Sequence, residues 1–447
     1  MKVELRNIFS IGGIVLTLIL LSSCGADRNL KKGEKYLALG EYYDAANEFK
    51  QAYQKTPPKQ SDKRGHAASR MALCYAKSLQ TAKGIAAYRN VIRYQQDQWQ
   101  DHLALAQLLM KNGSYKEAST EFQAVIDSMP DNALAHVGLA SAKEATAVKE
   151  LGSRYTVKKM DIFNSRRAEY SPMLYGDEYD QLYFTSTRNE AQGDEVSGIT
   201  GTKAADIFYS EKDDKGKWSK PEPVTGGLNT DYDEGACCFS SDGRDMYLTQ
   251  CVTDPSYPRY AQIVKSSRSD AAWGKASEVK LSNDTLSSFA HPAISPDGEW
   301  LYFVSDMPGG KGGLDIWRVR LTASGLGGVE NLGEPINTPG DEEFPTFRPN
   351  GDLYFSSNGH KGLGGLDIYY ARVGKDHKYH LYHPGYPLNS RRRFRYDLRG
   401  ATQPRFLLIQ PGRRTWLGPH LLVLQSRNRA DGQGVGLRDG RLRVACS

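Results

Sequence analysis

Cysteine is scarce in this chain, and no cysteine has the spacing of a metal site. Six cysteines occur in 447 residues, and they are Cys24, Cys74, Cys237, Cys238, Cys251 and Cys446. The chain has no CxxC pair and no His/Cys cluster with zinc-ligand spacing, so we expect neither a metal nor a cofactor. In an exported chain, Cys237 or Cys238 can form a disulfide with Cys251, and free thiols are the alternative.

Motifs of common enzymes are missing as well. The chain has no G-x-S-x-G nucleophile elbow, no P-loop and no zincin helix. The stretch from Asp214 to Trp218 is similar to a hairpin of sialidases but lacks the leading Ser and the Thr. These absences predict that the chain is not an enzyme and has no catalytic residues.

The first residues have the features of an export signal. Lys2 and Arg6 precede the apolar run Ile8–Leu21, which is shorter than the roughly 20 residues that a membrane-spanning helix needs. The run ends in LSSC at Cys24, the pattern of a bacterial lipobox, in which the cysteine thiol accepts the lipid. An ordinary secretory signal with an incidental cysteine is the alternative.

This signal predicts where the mature chain resides. We expect residues 1–23 to be a lipoprotein signal peptide and Cys24 to be the lipidated N-terminus. Gly25 follows in place of the Asp that retains lipoproteins at the inner membrane. The interpretation is therefore a protein anchored by lipid at the periplasmic face of the outer membrane.

Residues 24–151 have a helical composition with a repeat of about 34 residues. The small residues Gly33, Ala72, Ala106 and Ala140 are 39, 34 and 34 positions apart, which matches the tetratricopeptide pattern of stacked helical hairpins. Such hairpins form a concave groove. The groove either binds a partner protein or peptide, or belongs to a packed spacer, and the sequence leaves both readings open.

Residues 155–390 contain short strands separated by turns. Leu301–Trp317 (LYFVSDMPGGKGGLDIW) and Leu353–Tyr369 (LYFSSNGHKGLGGLDIY) are copies 52 positions apart, a period typical of propeller blades. Four blades can be recognised. The fold class is therefore α followed by all-β: tetratricopeptide hairpins and then a β-propeller, five-bladed but incomplete in this chain.

Acidic residues recur at equivalent positions of these blades, as Asp297, Asp315 and Asp367 show. A catalytic acid is normally unique. Recurrence therefore favours a structural role in capping turns and bonding between strands.

The last part of the chain departs from the repeat. Residues 391–447 contain 13 Arg, no Lys and three Asp, a net charge of +10, whereas the rest of the chain sums to −4. A one-base shift near Ser390 restores a blade pattern, with two Phe at positions 406–407, again 52 after Tyr354. We therefore interpret residues 391–447 as a frameshifted, non-native tail. The alternative is a real basic tail for nucleic acid or membrane.

The order of lipobox, tetratricopeptide hairpins and TolB-like blades (SPDG, YFxS and GGxDIW) resembles the PorE-type periplasmic lipoproteins of the type IX secretion system. The resemblance covers Met1 to about Ser390. In that family an OmpA-like peptidoglycan-binding domain follows, which this chain lacks. Cys24 is the one functional residue that the resemblance carries over.

The resemblance implies a scaffold that anchors the secretion machinery through protein–protein contacts. It implies protein partners of a secretion complex and the outer membrane, peptidoglycan only in a form with the further domain, and no nucleic acid. One alternative is a propeller enzyme acting on glycans or peptides, which non-recurring acids or a Ser/His pair at one propeller mouth would support. Another is a TolB-like accessory of envelope integrity.

Overall fold

The computed structural model describes residues 25–389 except 154, 166, 177–178, 194, 253–257, 259 and 270–271, together with strands at 395–397, 405–410 and 420–426. The predicted signal peptide, Cys24 and most of the arginine-rich tail lie outside the described residues. No helix in the described part is both long and apolar enough to cross a membrane.

Helices form the first part of the described chain. They are α1 (residues 25–38), α2 (Tyr42–Lys55), α3 (Ser61–Lys77), α4 (Thr81–Arg93), α5 (Trp99–Asn112), α6 (Tyr115–Ser128) and α7 (Ala133–Leu151). From α2 to α7 each helix packs against the next one. Helix α5 also contacts α3 and α7, so the first helices of successive hairpins lie side by side.

The small residues of the repeat allow the helices to approach closely. Ala72 and Ala106 are fully buried. A Cβ added to Gly33 would lie 2.7 Å from the ring of Phe49, and one added to Gly138 would lie 2.2 Å from the ring of Phe122. Larger residues at these positions would force the helices apart. The predicted tetratricopeptide packing is confirmed.

Four sheets follow in chain order, and we name them blades 1 to 4. Blade 1 contains β2 (Glu169–Tyr175), β3 (Gln181–Ser186), β4 (Asp206–Glu211) and β5 (Glu222–Pro223). Blade 2 contains β6 (Asp233–Phe239), β7 (Asp245–Val252), β8 (Tyr260–Ser269), β9 (Ala272–Trp273) and β10 (Ser277–Glu278). Blade 3 contains β11 (Phe289–Ile294), β12 (Trp300–Ser305), β13 (Asp315–Thr322) and β14 (Gly325–Asn331). Blade 4 contains β15 (Glu342–Phe347), β16 (Leu353–Ser357), β17 (Asp367–Val373) and β18 (Tyr379–Tyr382).

A further sheet joins distant parts of the chain. Its strands are β1 (Tyr155–Lys159), β21 (His420–Ser426), β20 (Arg405–Gln410) and β19 (Arg395–Asp397), in that order across the sheet. β1 is antiparallel to β21, with Tyr155 opposite Ser426. Strand β19 contacts β2 and β15, while β6 contacts β2 and β11, and β11 contacts β15. The innermost strands therefore form a ring, and the predicted propeller class is confirmed.

The arginine-rich segment supplies three strands of that sheet. Whether its reading frame is shifted is a question about the gene, so the frameshift stays a prediction.

Each of blades 1 to 4 has a bulge in its innermost strand. At the bulge one non-glycine residue adopts positive φ: Ser171 (51°), Ala236 (44°), His291 (52°) and Phe344 (58°). Residues that carry a side chain rarely adopt this backbone conformation, because it costs free energy that surrounding bonds must offset. The hydroxyl of Thr185 accepts a hydrogen bond from Ala236 N at 3.0 Å. This bond joins the innermost strand of blade 2 to blade 1.

Candidate functional site

The helical repeats dock on one face of the propeller through a loop of blade 1. The carbonyl of Gly198 accepts hydrogen bonds from the backbone N–H groups of Tyr43 (2.8 Å) and Asp44 (3.2 Å). These donors belong to the first turn of α2, where Glu41 at the N-cap makes no side-chain capping bond. Helix N-termini have backbone donors without intrahelical partners. The propeller loop therefore supplies the cap of this helix.

A second docking point is the loop between β16 and β17, residues 358–366, which we call the blade-4 loop. Gly362 N donates to Ser141 Oγ at 3.2 Å, and Tyr115 Oη donates to the carbonyl of Leu363 at 2.8 Å. Lys361 Nζ lies 3.0 Å from a carboxylate oxygen of Glu144. The loop thus contacts α6 and α7 through one hydrogen bond that it donates, one that it accepts and one ion pair.

We call the surface that receives this loop the α5–α7 groove. Side chains of α5, α6 and α7 and atoms of the blade-4 loop together line a residual cavity of about 40 Å³. The helical residues that line it are Gln107, Met110, Lys111, Phe122, Leu134, Val137, Gly138 and Ser141. Leu363 of the loop is completely buried, and Leu366 is buried against Ala236 and Phe344 of the propeller. The sequence left open whether the helical groove binds a partner or is packed. The structure shows that the α5–α7 part of it is packed against the chain's own propeller.

The equivalent loop of blade 3, residues 306–314, has a different environment. Most of its residues are exposed, including Pro308 and Lys311, and Leu314 is half-buried whereas its counterpart Leu366 is fully buried. The two copies of the sequence repeat therefore have different neighbours. One docks the helical repeats, and the other faces outward.

The recurring aspartates cap loops and turns. Asp315 accepts hydrogen bonds from Lys311 N (2.5 Å) and Asn331 Nδ2 (2.8 Å), and Asp367 accepts from the backbone N–H groups of Leu363 and Gly364. Asp297 accepts from Glu299 N at 3.0 Å. The structural role predicted from recurrence fits these bonds. Burial raises the pKa of Asp367 to about 7.

A second set of recurring carboxyl groups was not predicted. Glu169, Glu234 and Glu342 occupy equivalent positions at the start of innermost strands and are almost completely buried. Glu342 accepts from Thr338 N at 2.8 Å and from Thr338 Oγ1 at 2.6 Å, and Thr230 bonds Glu234 in the same way. The signal in the sequence is Asn-Thr (Asn-Ser before Glu169) followed by Glu four positions after the Thr or Ser.

Burial raises the pKa of Glu234 and of Glu342 to about 7. Each glutamate lies near an aspartate of the preceding blade, Asp206 beside Glu234 and Asp315 beside Glu342, which adds to the rise. The backbone N–H of each glutamate donates to the preceding blade, Glu234 to the carbonyl of Ala205 (2.7 Å) and Glu342 to that of Leu314 (2.6 Å). The repeated arrangement therefore favours a structural role between blades.

The bulged residues line an axial channel with a volume of about 40 Å³. The ring of His291 stacks on that of Phe344, with 3.7 Å between centroids. The hydroxyl of Ser171, also in the channel wall, has no hydrogen-bond partner in the described part of the chain. The structure thus places a Ser and a His in one cavity, which the sequence alone did not reveal. The volume admits a few water molecules, far less than the 300–1,000 Å³ of typical ligand sites.

Among the described residues, no group of three or more His, Cys, Asp or Glu side chains could hold a metal ion. Cys237 and Cys238 lie opposite Leu248 and Tyr247, whereas Cys251 lies opposite Asp233, farther along the ladder. None of Cys237, Cys238 and Cys251 forms a disulfide. The lipid-acceptor role of Cys24 stays a prediction.

Comparison with known proteins gives similarity of fold only. No protein-family model and no curated protein matches the chain. An α-L-arabinofuranosidase from Lactobacillus brevis is 12% identical, with a TM-score of 0.41 over 62% of this chain and 95% of that one. A glucose dehydrogenase is 11% identical, with a TM-score of 0.34 over 61% of this chain and 100% of its own.

A puromycin-hydrolyzing peptidase from Mycobacterium tuberculosis is 14% identical, with a TM-score of 0.32 over 63% of this chain. The match covers 54% of the peptidase, so this chain spans about half the length of that protein. At such identities and TM-scores the likeness assigns no reaction or substrate to this chain.

The prediction that the chain is not an enzyme is contradicted by these similarities. Three of the similar structures are an arabinofuranosidase, a glucose dehydrogenase and a peptidase. The prediction relied on missing motifs and on the view that propellers serve mainly as binding platforms. Because propellers also serve as enzyme folds, neither reason excludes catalysis here.

Proposed function

We propose that this chain is a scaffold anchored by lipid at the periplasmic face of the outer membrane, where it binds proteins of a type IX secretion complex as PorE-type lipoproteins do. The observation that carries the proposal is the docking of the helical repeats on the propeller at two separate loops. Gly198 caps α2, and the blade-4 loop enters the α5–α7 groove. Two attachment points fix one orientation, so both domains present a single continuous surface.

The uncovered part of the docking face suits a protein partner. Loops that lead into blades 2 and 3 lie on this face, and they expose the side chains of Tyr232 (38%) and Leu286 (72%). Loop 306–314 on the same face is also exposed. A contiguous apolar patch with a polar rim is typical of sites where proteins associate, and the variants below test whether Tyr232 and Leu286 belong to such a site. Peptidoglycan contact belongs only to a form that carries the further OmpA-like domain.

Co-purification tests this proposal. The tagged chain, expressed in a bacterium with a type IX apparatus, is expected to recover secretion components from the outer-membrane fraction after crosslinking. The variant with Leu286→Asp and Tyr232→Ala should recover at least fivefold less. Leu79→Asp is the matched control, because Leu79 is an exposed apolar side chain (45%) in the helical part. Recovery of envelope proteins without any secretion component would favour the envelope-integrity alternative.

A fractionation experiment tests the anchor. Cys24→Ser removes the thiol that would accept the lipid, and the protein should move from the outer-membrane fraction to the soluble one. Unchanged membrane association would contradict the lipobox interpretation.

A second candidate function is hydrolysis of a glycan or peptide at the axial channel. Ser171 and His291 line that channel. The Ser171 hydroxyl has no hydrogen-bond partner in the described residues, so catalysis there would require the imidazole to approach this hydroxyl and the channel to widen beyond its volume of about 40 Å³. The purified chain would be assayed on fluorogenic glycosides and peptides. Turnover that Ser171→Ala abolishes would support this candidate, and turnover unchanged by Ser171→Ala would reject the channel as its site.

A further inference from the structure

One end of the first helical hairpin carries an excess of positive charge. This end contains residues 25–32 at the start of α1 and residues 51–64, which cover the end of α2 and the start of α3. We call it the basic end. It has seven basic and two acidic residues, a net charge of +5. Six of the basic residues are exposed: Arg28, Lys31, Lys32, Lys55, Lys59 and Lys63.

Contacts between the three helices bring these segments together on one surface. Lys55 Nζ, in the last turn of α2, donates a hydrogen bond to Asn29 Oδ1 of α1 at 2.7 Å. Lys63 Nζ, in the first turn of α3, lies 3.2 Å from Asp27 Oδ1 of α1. The start of α1 therefore lies beside both the end of α2 and the start of α3, and the charges of the three segments reinforce one another.

Carboxylates of the protein neutralise only part of this charge. Lys32 and Lys63 have acidic partners, at 2.6 Å and 3.2 Å. Arg28, Lys31 and Lys59 form no ion pair within the part of the chain that the structure describes. Their exposed guanidinium and ammonium groups are therefore free to bind an anionic surface from outside the chain.

The other end of this hairpin has the opposite charge and faces the propeller. Residues 33–47 contain three acidic residues and one basic residue. At that end the carbonyl of Gly198 caps the N-terminus of α2. Helix α2 has 14 residues, so it extends about 20 Å from this contact to Lys55. The basic end is therefore directed away from the Gly198 contact.

The sequence places the predicted lipid acceptor directly beside the basic end. Cys24 precedes Gly25, and α1 begins at Gly25 with no linker between them. Consecutive Cα atoms are about 3.8 Å apart. Charges act over a Debye length of about 8 Å at physiological ionic strength. Acyl chains on Cys24 would therefore hold the first turn of α1 close enough to lipid headgroups for its charges to attract them.

We propose that the basic end is a second membrane contact, which binds the phosphate groups of anionic phospholipids and orients the chain on the bilayer. With this end against the headgroups, α2 points its other end and the propeller contact at Gly198 away from the membrane. The acyl chains supply attachment, whereas the basic end supplies orientation. This inference rests on the lipid anchor proposed above.

Vesicle sedimentation with the chain from residue 24 onward and Cys24→Ser, which carries no lipid and keeps every described residue, tests the basic end. This chain should bind vesicles that contain phosphatidylglycerol and should not bind vesicles of phosphatidylcholine alone. The variant with Arg28→Gln, Lys55→Gln and Lys59→Gln should bind at least roughly tenfold more weakly. The matched control exchanges three exposed lysines of blade 1, Lys215, Lys217 and Lys220, for Gln and should weaken binding less than about twofold.

Equal binding to the two kinds of vesicle, or equal losses in the two triple variants, would overturn the proposal. Binding that persists in the Arg28, Lys55 and Lys59 variant would come from elsewhere, such as the arginine-rich residues 391–447, and would also overturn it. No binding to anionic vesicles would leave an acidic protein surface as the occupant. If the triple variant fails to fold, Lys59→Gln alone, in the loop before α3, should weaken binding roughly threefold.

Salt separates this contact from the lipid anchor. A high-salt wash should release a chain that is held by the basic end alone, because salt screens its charges, whereas acyl chains resist the wash. Failure of the basic end in the vesicle experiment and failure of the Cys24 anchor in salt-washed membranes are therefore distinguishable.

Discussion

Replacing Asn337 with Ala should weaken the propeller measurably. The Asn337 side chain is 1% exposed, and it accepts from Ile316 N at 2.9 Å and donates to Ile316 O at 2.9 Å. Alanine would leave the Ile316 N–H buried without a partner, whereas its carbonyl would keep the bond from Leu332 N at 3.1 Å. One orphaned buried donor and a small void predict a loss of roughly 2–3 kcal/mol.

Urea unfolding followed by tryptophan fluorescence and near-UV circular dichroism measures this loss. Asn112→Ala is the control, because Asn112 is exposed and, among the described residues, its side chain bonds Ser114 Oγ alone. We expect the control to change the free energy of unfolding by less than about 0.5 kcal/mol. Asn337→Asp keeps the acceptor and loses the donor, so it should also destabilise. A loss at Asn337→Ala no larger than that of the control would refute the conclusion that the Asn337 amide stabilises the propeller through its bonds to the backbone of Ile316.

Three further outcomes follow from buried polar groups. Burial raises the pKa of Glu342 to about 7, above an unfolded value near 4.3. The stability that Glu342 contributes should therefore be fully present below about pH 4 and be lost as the pH rises through 7, and Glu342→Gln should remove this part of the pH dependence in thermal unfolding. Partial burial opposes a charge on His102, but hydrogen bonds to two carboxylates outweigh it and raise its pKa. The stability that protonated His102 contributes is complete below about pH 6.5 and is lost as the pH rises above the folded pKa. His102→Gln should abolish this pH-dependent loss in thermal melting of the helices. Thr249→Val removes the acceptor of the His291 N–H, 2.8 Å away, and should lower the free energy of unfolding by about 1–2 kcal/mol. The exposed Thr120→Val should change it by less than about 0.5 kcal/mol, and equal losses in the two valine variants would contradict the role of the bond.

Local sequence patterns predict much of this fold because both repeats have fixed periods. Tyr302 and Tyr354, 52 positions apart, lie at equivalent sites in β12 and β16. Ala72 and Ala106 lie where helices touch, as their spacing predicts. In each case one residue type meets one local requirement, and the requirement recurs along the chain.

The docking of the two domains could not be predicted from such patterns. The bond between Gly362 and Ser141 joins residues far apart in sequence, and it depends on how two complete domains are oriented. The positive φ of Phe344 and His291 gives no signal either, because bulky residues are unusual in that conformation. Tertiary bonds impose both features. The buried glutamates did have a signal, the Asn-Thr pair before Glu234 and Glu342, but its meaning needed the geometry.

The pairing of Tyr155 with Ser426 has a consequence for the time course of folding. Strand β1 directly follows the helices, yet its ladder partner lies 271 positions later in the chain, counted from Tyr155 to Ser426. Until β21 is available, β1 and the flank of blade 1 expose unpaired strand edges that can associate with other chains. Contacts between such distant residues form slowly. The newly made chain therefore passes through a period in which its helices are complete and its ring is open, and its association with other chains would be most frequent during that interval.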